Sequence, residues 1–226
     1  MAKQVAAPRY FVCSYFGADF LVRSVNVGGL EISAKIGEYP ELKNFVQSCA
    51  EIKPDVFIDI GANLGLYTCI VMRNKLAPRA ILFEPDHRNR IHLRQSSHQR
   101  SARRRHCHQR SGAGRRTREI PAGAGPERDI GLSQILENTP AGEGYDVDIV
   151  RLDDLVALSG KTLAIKIDIE RYERKALAGM ARTLADNRGL VQIEVLEARD
   201  ETVGLMSAAG FKLAQEFGPN LVFRKP

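Results

Sequence analysis

Four apolar runs constrain the fold of this chain more than any other feature. Segments of helical length or longer separate them, and none alternates strictly over its whole length as a half-exposed strand does. They are DVFIDI, RAILF, TLAIKI and GLVQIEV. Strands of this kind are buried on both faces, which is typical of a parallel sheet covered by helices. The sequence therefore predicts an α/β fold with a mostly parallel sheet flanked by helices.

The remaining segments complete this organisation. YPELKNFVQSCAEI, LGLYTCIVMRNKL, RYERKALAGMARTLAD and ETVGLMSAAGF have helical patterns, and RYFVCSYFGADFLVRS and GGLEISAKI have short extended ones. We expect a strand from Val147 to Arg151, a short helix opening at Asp153, and a closing antiparallel strand pair in KLAQEFGPNLVFRKP. Residues 1–54 are predicted to be an N-terminal extension that packs on a core domain at 55–226.

Length and composition favour one intracellular domain. A chain of 226 residues with 44% apolar content can bury a single core. The four cysteines lie far apart without a CxxC pair, so neither a disulfide framework nor a zinc site is indicated; they are Cys13, Cys49, Cys69 and Cys107. The N-terminus lacks the apolar run of a signal peptide or a membrane span. We expect a cytoplasmic protein that binds no metal and no membrane, and we leave its oligomeric state open.

A glycine-rich turn is the first motif that carries chemistry. DIGANLG, from Asp59 to Gly65, lies where a strand passes into a helix, and this is where an open α/β sheet forms its ligand crevice. Glu84 follows at the end of the next strand, where an acidic side chain usually accepts hydrogen bonds from ribose hydroxyls. The spacing GxxxG fits a dinucleotide less well than GxGxxG, and no Walker lysine follows. The alternatives are an adenosine-containing cofactor and a plain tight turn.

A second polar motif, KIDIE, interrupts a buried strand. If the strand continues through it, Lys166, Asp168 and Glu170 point to one face. Three ionisable groups there are costly unless they are paired or lie at the crevice. The motif is therefore either a structural lysine–aspartate pair or the reaction site.

Several motifs in order resemble the FkbM-type methyltransferases, S-adenosylmethionine-dependent enzymes with a class I, Rossmann-like fold. FIDIGANLGLYT is similar to the family's glycine loop, LFEP to its acidic second strand, VRLDDL to its LD-D-L segment, and IKIDIERYERKALAGM to its K-I-D-x-E-G-x-E block. The ending AGFKLAQEFGPNLVFRKP, with Asn220, is similar to the family's final strand pair. The resemblance runs from about Ala18 to the C-terminus, except for roughly 94–125.

The resemblance implies a seven-stranded sheet and a methyltransferase domain over 55–226. It implies that the loop of Asp59, Gly61, Asn63 and Gly65 holds the amino-acid end of S-adenosylmethionine and that Glu84 holds its ribose. The expected reaction is O-methylation of a hydroxyl on a sugar or natural product, so the expected partner is a small molecule or glycan.

The same resemblance makes KIDIE the reaction site. Asp168 or Glu170 is the candidate base, and Lys166 would hold the acceptor oxygen or pair with the carboxylates. Arg171 departs from the family block, which usually has glycine at this position. A bulky cation there would narrow the substrate mouth or alter the turn.

A window from His98 to Arg118 fits none of this pattern. It holds eight of the chain's arginines and three of its five histidines, and without those arginines 25 basic residues face 27 acidic ones. Between Leu93 and Ile120 no large apolar residue occurs, although the family fold needs a helix and a third strand here. We therefore expect no well-packed core strand from about 95 to 125, and a sheet that is short at one edge.

Three explanations of this window compete. Read one nucleotide later, its arginine-rich codons can encode DVVTVIN, a strand sequence, and the chain returns to the expected pattern near GPERDIGLSQ. The leading hypothesis is a pair of compensating frameshifts. A basic RNA-binding insertion and a His/Cys metal site are the alternatives, and nucleic acid is not an expected partner. The rival to an active enzyme is thus a frame-damaged, non-catalytic family member, or a nucleic-acid binder that uses the basic segment.

Overall fold

The structure is a computed structural model that describes residues 10–23, 39–85, 116–120, 134–136 and 145–226. The strands are β1 Tyr10–Tyr15, β2 Ala18–Arg23, β3 Val56–Ile60, β4 Ala80–Phe83, β5 Arg116–Ile120, β6 Gln134–Leu136, β7 Tyr145–Asp148, β8 Thr162–Ile167, β9 Arg188–Glu194, β10 Lys212–Phe217 and β11 Asn220–Lys225. The helices are α1 Pro40–Ile52, α2 Leu66–Arg73, α3 Leu152–Leu155, α4 Glu173–Gly179, α5 Ala181–Asp186 and α6 Arg199–Ala208.

A six-stranded sheet forms the centre of the described fold. Its order is β10-β11-β9-β8-β3-β4. Strands β4, β3, β8 and β9 are parallel, whereas β11 runs antiparallel to both β9 and β10. The predicted mostly parallel α/β sheet with a C-terminal antiparallel pair is thereby confirmed.

Both faces of the central sheet are covered, as its apolar strands require. Alternate residues of each strand point to opposite sides, so one face carries Ile58, Ile165 and Val191, packed with Leu177 of α4 and Met206 of α6. The other face buries a second cluster, which contains Phe57, Ala164, Leu190, Val222, Phe45 and Cys49 of α1, and Val71 of α2. Helix α1 thus packs directly on the sheet. The division into 1–54 and 55–226 stays a prediction.

The arginine-rich window is described only in part. Its last residues form part of β5, which pairs antiparallel with β6 and β7 in a separate three-stranded sheet. The sequence did not predict this strand, because the window lacks large apolar residues. Among the described residues the central sheet stops at β4, one strand fewer than the seven expected. Most of the window, residues 98–115, lies outside the described residues.

Two predicted elements have different bounds in the structure. The strand expected from Val147 to Arg151 begins earlier, at Tyr145, and ends at Asp148. The single helix expected in RYERKALAGMARTLAD is interrupted at Met180, whose φ of −128° is not helical. Asp153 explains the interruption, because its carboxylate accepts hydrogen bonds from Arg182 N and Thr183 N, both at 2.9 Å, and so caps a new helix start. The extended piece GGLEISAKI lies outside the described residues.

Candidate functional site

Polar side chains gather on one face of the central sheet near the carboxyl ends of its parallel strands. Asp59 of β3 lies beside Lys166 of β8, which lies beside Gln192 of β9. Paired residues of a sheet point to the same side, so these three form a polar row next to the apolar cluster under α1 and α2. The row marks where this face changes from an apolar core to a crevice.

The glycine loop passes over the end of this face and contacts the segment after β8. Gly61 N and Ala62 N both donate to Phe83 O, at 2.9 and 3.0 Å. Gly61 has φ of +79°, and a Cβ placed on it would lie 1.8 Å from Asp168 O. Only glycine fits both the conformation and the space. The loop is therefore locked between β4 and the residue that we expect to act as the base.

Glu84 and the glycine loop are joined by a hydrogen bond. Asn63 has φ of +49°, and its N–H donates to Glu84 Oε2 at 2.6 Å. The predicted neighbourhood of Glu84 and the loop is therefore present in the structure. Gly65, with φ of +81°, is the residue from which α2 starts. The roles of Asn63, Gly65 and Glu84 in holding a cofactor stay predictions.

Asp59 is the ionisable residue of the glycine loop, and its side chain is buried. Its exposed fraction is 2%, and Thr68 Oγ1 of α2 donates to its Oδ2 at 2.6 Å. Burial raises the pKa of Asp59 from 3.8 to about 6, against the hydrogen bond from Thr68 and the charge of Lys166. A side chain so enclosed holds the glycine loop to α2. Any contribution of Asp59 to cofactor binding acts through the loop.

The KIDIE residues come together, but not along one straight strand as expected. Strand β8 ends at Ile167, and Glu170 has φ of +46° in the turn that follows. Lys166 Nζ lies 3.0 Å from Asp168 Oδ2, with 5% and 40% of the two side chains exposed. One carboxylate oxygen each from Asp168, Glu170 and Glu194 lies within 4.8 Å of the others. We call these three residues the carboxylate cluster.

The charges of the carboxylate cluster are unevenly distributed. Burial would raise the pKa of Asp168, but the Lys166 ammonium and hydrogen bonds from Glu194 and Lys166 hold it below its usual value. Burial, followed by the charge of Asp168, raises the pKa of Glu194 to about 8. Burial and the charge of Asp168 also raise the pKa of Glu170. At neutral pH Asp168 is thus ionised and placed to accept a proton or a hydrogen bond.

Three further residues of the crevice were missed as site residues. Gln192 Nε2 donates to Tyr67 Oη at 2.9 Å and to Asn220 Oδ1 at 3.2 Å. Lys166 Nζ lies 5.3 Å from the centroid of the Tyr67 ring, within the range of a cation–π contact. Asn220 had been noted only as part of the final strand pair. The missed signal is the alternation in VQIEV, which places Gln192 and Glu194 on one face.

Arg171 lies next to Glu170 of the carboxylate cluster, in a turn whose conformation suits glycine. Its φ is +72°, in the left-handed region that glycine adopts without strain. Its N–H donates to Glu173 Oε1 at 2.8 Å, and its Nε lies 3.3 Å from Glu197 Oε1. The side chain is 55% exposed. The chain therefore keeps the glycine conformation and adds an exposed cation beside the carboxylate cluster.

Fold and site together define a class of protein. A mostly parallel sheet, a glycine turn after β3 and an acidic residue after β4 are the features of the Rossmann-like fold of class I methyltransferases. The profile of the methyltransferase FkbM domain matches residues 59–213. The chain belongs to the FkbM methyltransferase family, as the sequence motifs predicted. No functionally curated protein matches it significantly. Along the described residues no helix has the length and apolarity needed to cross a bilayer.

The solved structures that match the chain are distant in sequence. A methyltransferase FkbM from Methylobacillus flagellatus KT is 20% identical, with a TM-score of 0.48, over 76% of this chain and 44% of its own. M. jannaschii TYW2, solved in complex with AdoMet, is 12% identical, with a TM-score of 0.45, over 98% of this chain and 89% of its own. The chain spans less than half the length of the M. flagellatus protein.

Proposed function

We propose that this protein transfers a methyl group from S-adenosylmethionine to a hydroxyl on a sugar or natural product. The observation that carries the proposal is that the glycine loop, Glu84 and the carboxylate cluster meet at the carboxyl ends of the parallel strands. The glycine loop contacts Asp168 O through Gly61, binds Glu84 through Asn63 N, and so lies between an acidic side chain and the carboxylate cluster. A plain turn would need neither contact.

The residues present fit a cofactor that contains a ribose and a charged amino-acid end. Gly61 leaves no room for a Cβ, so the loop backbone packs directly against the segment that carries Asp168. Glu84 remains an acceptor of the kind that binds ribose hydroxyls. The loop around Asn63 and Gly65 precedes α2, where backbone N–H groups suit a carboxylate. We assign the amino-acid end to this loop and the ribose to Glu84.

When bound, S-adenosylmethionine would supply a methyl carbon to an acceptor oxygen, and the electron pair of the broken carbon–sulfur bond would stay on sulfur. The hydroxyl group of the acceptor must also lose its proton, which requires a base. Asp168 is our candidate for this base because it is ionised and partly exposed. Lys166 fixes one of its oxygens at 3.0 Å. Arg171, which is exposed and follows Glu170 of the carboxylate cluster, would limit the size of the acceptor.

A methyl-transfer screen tests this function. The protein and radiolabelled S-adenosylmethionine are incubated with a panel of glycosides, glycans and small alcohols, and labelled product is counted. Asp168→Asn should lower turnover about 10²- to 10⁴-fold, the usual contribution of a general base, while cofactor binding persists. Glu201→Gln, an exposed change on α6, serves as the matched control. Full turnover by Asp168→Asn would exclude Asp168 as the base.

A further inference from the structure

The carboxylate cluster contains more negative charge than its surroundings compensate. Three carboxyl groups present oxygens within 4.8 Å of one another. Lys166 is the cation that contacts them in the described part of the chain, and its Nζ lies against Asp168. Two ionised carboxylates this close repel each other, so one of them is stable only with a proton.

The sheet decides which carboxyl groups form the closest pair. Strands β8 and β9 are parallel, with Ile167 beside Ile193, so the next residues, Asp168 and Glu194, are neighbours where these strands end. One carboxylate oxygen of each side chain lies within 4.8 Å of the other. A carboxylate has no hydrogen to donate, so two carboxyl groups this close can form a hydrogen bond to each other only when one of them carries a proton. Lys166 favours the ionised form of Asp168, which leaves the proton on Glu194.

We propose that Glu194 is a positioning residue of the site, which holds the proton of its hydrogen bond to Asp168 and thereby keeps Asp168 ionised and aligned for an acceptor hydroxyl. This inference rests on the proposed function for the reaction that Asp168 assists. The shared proton itself depends only on the protein's own side chains and not on the reaction.

The charged groups around Glu194 all bear on this proton. From β8 and the following turn, Asp168 and Glu170 oppose ionisation of Glu194, whereas Lys166 favours it. Asp59 of β3 and Glu173 of α4 add negative charge next to Asp168, whereas Arg171 adds positive charge next to Glu170. Loss of the Glu194 proton above neutral pH places a second charge beside Asp168. Methyl transfer should therefore decline on the basic side of its pH profile.

A carbon-13 NMR titration of side-chain carboxyl groups tests the shared proton without any acceptor. In the wild-type protein one glutamate signal should titrate above neutral pH, far from the ordinary range of glutamate. This signal should be absent in Glu194→Gln and present in Glu201→Gln, the surface control. In Asp168→Asn it should move toward the ordinary range, because the neighbouring charge is gone. A Glu194 that titrates in the ordinary range would overturn the proposal.

The pH profile of methyl transfer tests the positioning role. Glutamine at 194 keeps a hydrogen-bond donor but no proton to lose, whereas alanine keeps neither. With the glycoside that is methylated fastest, Glu194→Gln should be about tenfold faster than Glu194→Ala and should lack the basic decline of the wild type. An unchanged basic decline in Glu194→Gln would refute the role. A wild type without methyl transfer but with the NMR signal would refute the proposed function and keep the shared proton.

Discussion

Replacing Gly61 by alanine tests the contact between the glycine loop and Asp168. A Cβ at Gly61 would lie 1.8 Å from Asp168 O and 2.9 Å from Asp168 C, both backbone atoms that cannot rotate away. The loop or the segment after β8 must therefore move. Such a movement strains the hydrogen bonds from Gly61 N to Phe83 O, at 2.9 Å, and from Asp168 N to Ile60 O, at 3.0 Å.

Gly160→Ala is the matched control for this change. Gly160 also has a positive φ, +66°, but a Cβ there would meet nothing within 4 Å. The free energy of unfolding of Gly160→Ala should fall by only about 1 kcal/mol, because alanine is less favourable than glycine at this positive φ. Gly61→Ala adds about 1 kcal/mol for each weakened hydrogen bond and about 1–3 kcal/mol for overpacking. We expect a total loss of about 4–6 kcal/mol for Gly61→Ala.

Urea denaturation measures both variants against the wild type. The free energies of unfolding should differ between the two variants by at least about 2 kcal/mol. Gly61→Ala should also weaken binding of S-adenosylmethionine in a calorimetric titration, since the loop no longer lies against Asp168. Equal losses of stability in the two variants would refute the close contact.

Three more predictions concern residues around the site. Asp153→Ala removes the hydrogen bonds that Asp153 accepts from Arg182 N, Thr183 N and Thr183 Oγ1. It should lower the free energy of unfolding, measured by urea denaturation, by about 2–4 kcal/mol. The control Asp154→Ala, at an exposed neighbour, should change it by less than about 0.5 kcal/mol, and similar losses in both variants would contradict the capping role. Asp59 binds its proton more tightly in the folded state, with a pKa of about 6 against an ordinary 3.8, so stability should fall by up to about 3 kcal/mol as pH rises from about 4 to 7. That decline should be smaller in Asp59→Asn, and equal declines would contradict it. Arg171→Gly relieves a left-handed backbone and should raise the free energy of unfolding by about 1 kcal/mol; a loss of stability would show that the contacts of Arg171 with Glu173 and Glu197 outweigh the strain.

Much of the fold follows from local sequence patterns. The buried runs that include Phe57 and Ala164 predict parallel strands because only a sheet covered on both faces accommodates them. The closing pair β10 and β11 follows from its turn residues. Strand β5, which overlaps the arginine-rich window, was not predicted. Its antiparallel partners are β6 and β7, which come later in the chain, and apolar content does not reveal this pairing.

The site was less predictable than the sheet because it depends on register between strands. Lys166 and Asp168 were found from one strand alone. Gln192 and Glu194 become their neighbours only once β8 and β9 are aligned residue by residue. Glu170 joins the cluster through a turn with positive φ, which a strand pattern does not show. Side chains that meet across strands thus needed the three-dimensional structure.

A calorimetric titration of the protein with S-adenosylmethionine tests the central claim most directly. We predict that the protein binds S-adenosylmethionine in the micromolar range. Glu84→Ala, which removes the acceptor assigned to the ribose, should lower the affinity about tenfold or more. Glu216→Ala on β10 provides a surface control that should bind like the wild type. Absence of binding by the wild-type protein, together with salt-sensitive binding to RNA, would contradict the account and favour a function of the basic segment.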